Sequence, residues 1–177
     1  MSLLAQITDE SRARGLEFVV IGALAVNVHG LIRDTADLDL LVQQEKREAW
    51  LKLLAEFQYT VASERPAFCQ LDPPAKGAWP VDLMFVREPT FRQMFTAALE
   101  VEMFDCKVRV PCIDHLIALK LHALKHGPAS RFMKDYLDVE GLLRVNKLDP
   151  RQPRIRELFL KYGTSELYGK ICRSINP

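Results

Sequence analysis

Apolar and polar positions recur with two different periods along the chain. Leu3 to Arg14 repeats apolar residues at helical spacing, and Gly15 supplies a stop before Phe18 to Ile21, an apolar run predicted as a buried strand. Gly22 breaks that run, and Ala23 to His29 is predicted as a short helix ended by Gly30. Leu31 to Thr35 is a loop. The alternation that opens Asp37 to Val42 predicts a second strand, and Glu45 to Phe57 is amphipathic and helical. Tyr59 to Ala62 and Ala67 to Leu71 read as strands around a turn at Pro66, residues 72–78 as a Pro- and Gly-punctuated loop, and Pro80 to Val86 as a further strand. Then follow a helix over Thr90 to Leu99 and a hairpin over Val101 to Val110, turning at Asp105 and Cys106. The remainder predicts helices at Ile113 to His126, Ser130 to Asn146, Pro153 to Tyr162 and Ser165 to Ile175, with Gly127-Pro128 as a firm break. The pattern describes an α+β core over residues 1–110, a short mixed sheet with flanking helices, followed by a helical unit over residues 111–177.

Composition narrows the class. With 49% hydrophobic and 27% charged residues among 177, the chain is neither disordered, collagen-like nor a coiled coil. No apolar run approaches the roughly 20 residues of a membrane span, and the start MSLLAQITDESRARG lacks the basic-then-apolar plan of a signal peptide. The expectation is a soluble, cytoplasmic protein with no membrane partner. Cys69, Cys106, Cys112 and Cys172 lie far apart with no CxxC pair, which fits reduced thiols rather than a disulfide frame or a zinc site. Charge is unevenly distributed: residues 1–106 carry 10 Lys and Arg against 16 Asp and Glu, and residues 107–177 carry 14 against 7. An acidic front and basic rear fit metal-carboxylate chemistry beside a phosphate-binding surface, although solvated helix faces give the same balance.

The candidate chemistry lies on two strands. Asp37 and Asp39 are two residues apart and so project from one face, while Leu38, Leu40 and Val42 occupy the other. Two anions held side by side repel, and a divalent cation relieves them. Asp82, between Val81 and Leu83, is the natural third ligand on a second strand. Three such carboxylates suit magnesium or manganese, which leave positions open for substrate phosphate, and two metals would steady attacking and leaving oxygens in phosphoryl transfer. Upstream, Gly22 and Ala23 open a helix directly after a strand, where free backbone N–H groups favour an anion. Arg33 is balanced between a bidentate clamp on phosphate and a salt bridge to Asp34 or Asp37. His29 reads as a polar residue packed at a helix end.

The run Ile21-Gly22-Ala23-Leu24-Ala25, with His29-Gly30 and then Arg33-Asp34-Thr35-Ala36-Asp37-Leu38-Asp39, resembles the polymerase β-like nucleotidyltransferase superfamily, and within it the AbiEii-type toxins. Ala23 stands where that superfamily usually carries Gly or Ser, so the backbone N–H is present without a hydroxyl. The resemblance implies a metal-dependent enzyme moving a nucleoside monophosphate from an NTP to an acceptor hydroxyl. Asp37 and Asp39 would hold the metals, and Asp82 would complete the site and take the acceptor's proton. Gly22 and Ala23 would cradle the triphosphate, with Arg33, Thr35 and Lys120 neutralising phosphate charge. It further implies an RNA or tRNA end as acceptor and a toxin with a cognate antitoxin. Transfer to an aminoglycoside-like small molecule or to a protein is the second reading, and a non-catalytic nucleotide- or partner-binding protein the third.

Two polar residues fall on apolar helix faces. At 100° per residue, Lys120 lies near the centre of the stripe formed by Ile113, Leu116, Ile117, Leu121 and Leu124. On the next helix Asp135 lies within the stripe of Phe132, Val139, Leu142 and Leu143, with Asp138 at its edge. An ion pair between Lys120 and Asp135 would tie the helices. The resemblance, through Lys120-Leu-His-Ala-Leu and Arg131 to Asp138, implies instead that Lys120 meets nucleotide phosphates, that Asp135 orients it, and that the helical unit closes the cleft. His122 and His126 lack the HExxH glutamate, so a zinc protease site is not expected.

Overall fold

The structure is a computed structural model and describes residues 2–175. Two compact units result: one runs up to Ala25 and resumes over Asp34–Pro111, the other combines Val26–Arg33 with the chain from Cys112 onward.

The first unit contains α1 (Leu3–Ala13), β1 (Phe18–Val20), the start of α2 (Gly22–Val28), β2 (Leu38–Gln43), a 3-10 turn (Gln44–Lys46) and α3 (Arg47–Glu56). It continues with β3 (Thr60–Arg65), β4 (Phe68–Asp72), β5 (Val81–Val86), α4 (Glu88–Thr96), β6 (Leu99–Met103) and β7 (Cys106–Val110). Ser2 caps α1 by accepting the Ala5 N–H at its hydroxyl, satisfying one of the helix's orphan donors. Five strands form one mixed sheet in the order β1-β2-β5-β4-β3, and β6 and β7 form a separate two-stranded ladder. Among the described strands only β2 and β5 run parallel, with Asp39 opposite Asp82, while β4 and β3 add antiparallel. Alternation sends Leu38, Leu40, Val42, Val81, Leu83 and Phe85 to one face, where they join Ile7, Trp50, Leu53 and Leu54 in the buried core. The opposite face carries Asp39 and Asp82. Between Val61 and Ser63 the β3–β4 register shifts by one residue, so Ala62 is extra and Ser63 pairs with Gln70.

The second unit holds α5 (Ile113–His126), α6 (Ala129–Val145), α7 (Pro153–Tyr162) and α8 (Ser165–Ile175). α5 packs on α6 and α7, and α8 on both of those, around buried Leu116, Ile117, Leu121, Val139, Leu142, Ile155, Phe159 and Ile171. The segment Val26–Arg33 joins this unit through specific contacts. Leu31 lies against the backbone of α6, so a Cβ on Gly141 would meet its Cδ2 at 2.7 Å. Asn146 donates its amide to the His29 carbonyl at 3.0 Å.

The predicted helices of this unit form, but one side chain departs from expectation. Phe132 does not join the buried stripe: it is 38% exposed and stacks on Tyr136 in the first turns of α6. Among the described residues no helix is long and apolar enough to cross a membrane. All four cysteines are free thiols. Burial pushes the Cys69 thiol up, with the carboxylates of Glu64 and Asp82 adding to the effect, so it stays protonated.

Candidate active site

Three aspartates converge on one face of the sheet. Asp37 stands one residue before β2, Asp39 is its second residue, and Asp82 is the second residue of β5. The parallel register sets Asp39 directly beside Asp82, and alternation returns Asp37 to the same side. One carboxylate oxygen from each can be chosen so that all lie within 4.8 Å of one another. Asp82 is only 6% exposed. Three anions this close, one of them nearly buried, form a donor set for a hard divalent cation, which would offset their repulsion through carboxylate oxygens. Magnesium and manganese both fit that chemistry.

Neighbouring groups fix the carboxylates. The Thr35 hydroxyl is 2.5 Å from Asp37 Oδ1 and 3.2 Å from the Asp37 carbonyl oxygen, so it can hold that carboxylate as a hydrogen-bond donor. Gln70 Nε2 lies 3.5 Å from Asp82 Oδ2. The Ile21 N–H donates to the Asp39 carbonyl at 2.9 Å, which draws the β1–α2 junction over the second strand. Gly22 follows with φ +65°, and a Cβ there would fall 1.8 Å from Asp39 Oδ2. Only glycine fits. The left-handed backbone disfavours any Cβ, and the carboxylate pressed against its Cα leaves no room for one. Ala23, the next residue of the helix, is buried.

Lys120, Asp135 and Arg33 form a second cluster, inside the helical unit. Lys120 Nζ lies 2.8 Å from Asp135 Oδ1 and 2.8 Å from Asp138 Oδ2. Arg33 Nη1 binds the other oxygen of Asp138. Two cations thus meet two anions, with Lys120, Asp135 and Asp138 all buried, and the charges balance as a buried network requires. Two expectations are corrected here. Asp138 does not sit at the edge of the stripe but is 1% exposed, and the partner of Arg33 is Asp138 rather than Asp34 or Asp37. The sequence signal for Asp138 was its position three residues after Asp135, one helical turn along the same side. Asn27 fixes the Arg33 backbone from both sides, accepting its N–H at 2.6 Å and donating to its carbonyl at 2.9 Å. His122 and His126 are exposed, with their rings in tilted contact at 4.6 Å between centroids.

Comparison with known proteins agrees with this geometry. Residues 9–171 match the family described as nucleotidyl transferase AbiEii toxin, type IV TA system. No curated protein matches the sequence. Among solved structures, ANT(2'')-Ia in complex with adenylyl-2''-tobramycin is 13% identical, with a TM-score of 0.67 over 91% of this chain and 97% of that one. The lincosamide antibiotic adenylyltransferase LnuA, lincomycin-bound, is 14% identical, with a TM-score of 0.56 over 80% of this chain and 95% of that one. An antigenic nucleotidyltransferase-like protein from Paracoccidioides brasiliensis is 13% identical, with a TM-score of 0.55 over 96% and 90% of the two chains. At these identities the likeness is one of fold.

Proposed function

Because the chain belongs to the AbiEii nucleotidyltransferase toxin family, we propose that Asp37, Asp39 and Asp82 carry transfer of a nucleoside monophosphate from an NTP to the hydroxyl at an RNA end, as the toxin of a toxin–antitoxin pair. The observation that carries the reading is the convergence of these three carboxylates within 4.8 Å. Asp37 and Asp39, completed by Asp82, would hold magnesium or manganese, which when bound neutralises phosphate charge and activates the attacking oxygen. The chain's own groups do the rest. Backbone N–H groups at Gly22 and Ala23 face the phosphates. Thr35 keeps the Asp37 carboxylate in one orientation. Asp82 accepts the acceptor's proton as its oxygen bonds to the α-phosphorus, the bond to the β-phosphate breaks, and pyrophosphate leaves.

Lys120, Arg33 and Asp135 enter this reading through the structure of the helical unit, because each is already engaged by an opposite charge there. RNA is favoured as acceptor by the basic rear of the chain, where residues 107–177 carry 14 Lys and Arg against 7 Asp and Glu. Transfer to a small hydroxylated molecule is the second reading, supported by the tobramycin adduct seen with ANT(2'')-Ia.

The test is incubation of purified protein with each α-labelled NTP, Mg²⁺ and total RNA, beside Asp37→Ala/Asp39→Ala. Label entering RNA only with the intact aspartates is expected. Equal labelling by the double variant would refute the assignment of these residues. Label in tobramycin but not in RNA would transfer the reading to a small-molecule acceptor.

A further inference from the structure

The carboxylates are the first members of a longer row. Asp39 pairs with Asp82 across β2 and β5, Asp82 with Gln70 on β4, and Gln70 with Ser63 on β3. Residues opposite one another in a ladder share a face, and neighbouring strands are roughly 4.8 Å apart. Four strands therefore present Asp39, Asp82, Gln70 and Ser63 in line. Gln70 is exposed and reaches to 3.5 Å of Asp82 Oδ2, while Ser63 is half-buried.

The row has a direction. At its β2 end Gly22 presses against the Asp39 carboxylate, so the phosphates belong there in the reading of the preceding subsection, on which this inference rests. An in-line displacement needs attacking and leaving oxygens on opposite sides of the phosphorus. The acceptor must then approach past Asp82, over β4 and β3. On that approach the face offers an amide and a hydroxyl, both uncharged and both able to donate and accept. Glu64 points to the other side and pairs with Arg47, while Arg65, two residues after Ser63, and Asp72, two after Gln70, flank the pair on the same face, one to each side along the strands.

We propose that Gln70 and Ser63 form the acceptor subsite and bind a sugar by its vicinal hydroxyls, leaving one hydroxyl for Asp82. A primary amide carries a donor and an acceptor side by side, which suits two adjacent hydroxyls. A ribose at an RNA end and a free aminocyclitol sugar both present this chemistry.

The experiment compares wild type, Gln70→Ala, Ser63→Ala and Gln70→Asn in steady-state transfer from labelled NTP. The acceptors are total RNA, a short RNA with a ribose 3′ terminus, the same RNA ending in a 2′-deoxy sugar, and tobramycin. For whichever acceptor the wild type labels, each alanine variant is expected to raise the acceptor KM about tenfold, the size of one lost hydrogen bond, with the NTP KM unchanged. Gln70→Asn should recover part of the loss. On RNA, the 2′-deoxy end should cost the wild type a similar factor and cost Gln70→Ala nothing more. An acceptor KM within twofold of wild type in both alanine variants would overturn the subsite while leaving the proposed function intact, as would a matching rise in the NTP KM. Transfer by the wild type to no acceptor would overturn the proposed function and this inference together.

Discussion

Gly22→Ala isolates what the carboxylate site demands of the backbone. The new methyl would lie 1.8 Å from Asp39 Oδ2, 2.5 Å from its Cγ and 2.8 Å from its Cβ. Contacts of that kind force the Asp39 side chain aside by on the order of 1 Å, which for a reacting group costs about 100-fold in rate. The left-handed backbone adds roughly 1–2 kcal/mol against any Cβ. Gly15 provides the control, because its φ is +63° and a Cβ there meets nothing within 4 Å. Gly15→Ala should therefore lose the same ~1–2 kcal/mol, a few degrees in Tm for a chain of this length, with full transfer activity. Gly22→Ala should lose at least that much stability and about 100-fold in kcat. Thermal unfolding and the labelled-NTP assay, both with and without Mg²⁺, read the two effects separately. If Gly22→Ala kept activity within threefold of Gly15→Ala, the packing of Gly22 on Asp39 would have no part in holding the site.

Two further outcomes follow from the helical unit. Lys120→Met removes the ammonium shared by Asp135 and Asp138, and urea unfolding should show a loss of about 3–5 kcal/mol, whereas exposed Lys125→Met should stay within about 0.5 kcal/mol; equal losses would refute the buried network. Burial holds the His115 imidazole below its usual value, against the pull of Asp114, and its Nδ1 is buried without a hydrogen-bond partner. The unfolded chain therefore takes up this proton first, so the stability His115 contributes while neutral is present above about pH 6.5 and is lost as pH falls through the unfolded and then the folded value. His115→Gln should flatten unfolding free energy between pH 7.5 and pH 5, and an unchanged slope would refute this.

The carboxylate site was legible because a period of two is local: Asp37 and Asp39 share a face whatever their partners, and Asp82 sits in an equally clear apolar strand. The helical boundaries of the rear unit were legible for the same reason, through Gly127-Pro128, Pro153 and regular apolar spacing. What escaped depends on distant partners. The salt bridge from Arg33 reaches a residue 105 positions away, and proximity in sequence had offered only Asp34 and Asp37. Asp138 looked marginal on a helical wheel because the wheel does not know that Arg33 and Lys120 converge beside it. Phe132 looked buried by the same projection, which treats the first turn of a helix like its middle. The place of Gly22 after a strand gives the expectation of an anion contact, but its packing on Asp39 arises from a strand pairing that no local pattern encodes. Gln70 reaches Asp82 only through the β4–β5 pairing, and Ser63 lines up with both only because of an extra residue in β3, neither of which a local pattern encodes.

That extra residue, Ala62, also bears on how the protein behaves at high concentration. β3 is the outermost strand of the sheet, and a long flat edge of unpaired N–H and C=O groups is a template for stacking on a second molecule. The bulge interrupts that edge and increases its local twist, while Glu64, Arg65 and the adjoining Pro66 place charge and a missing donor along its far half. The same irregularity that aligns Ser63 with Gln70 therefore works against edge-to-edge aggregation. A variant shortened by Ala62 would risk both losses at once, misaligned polar groups on the face and a straighter, stickier margin.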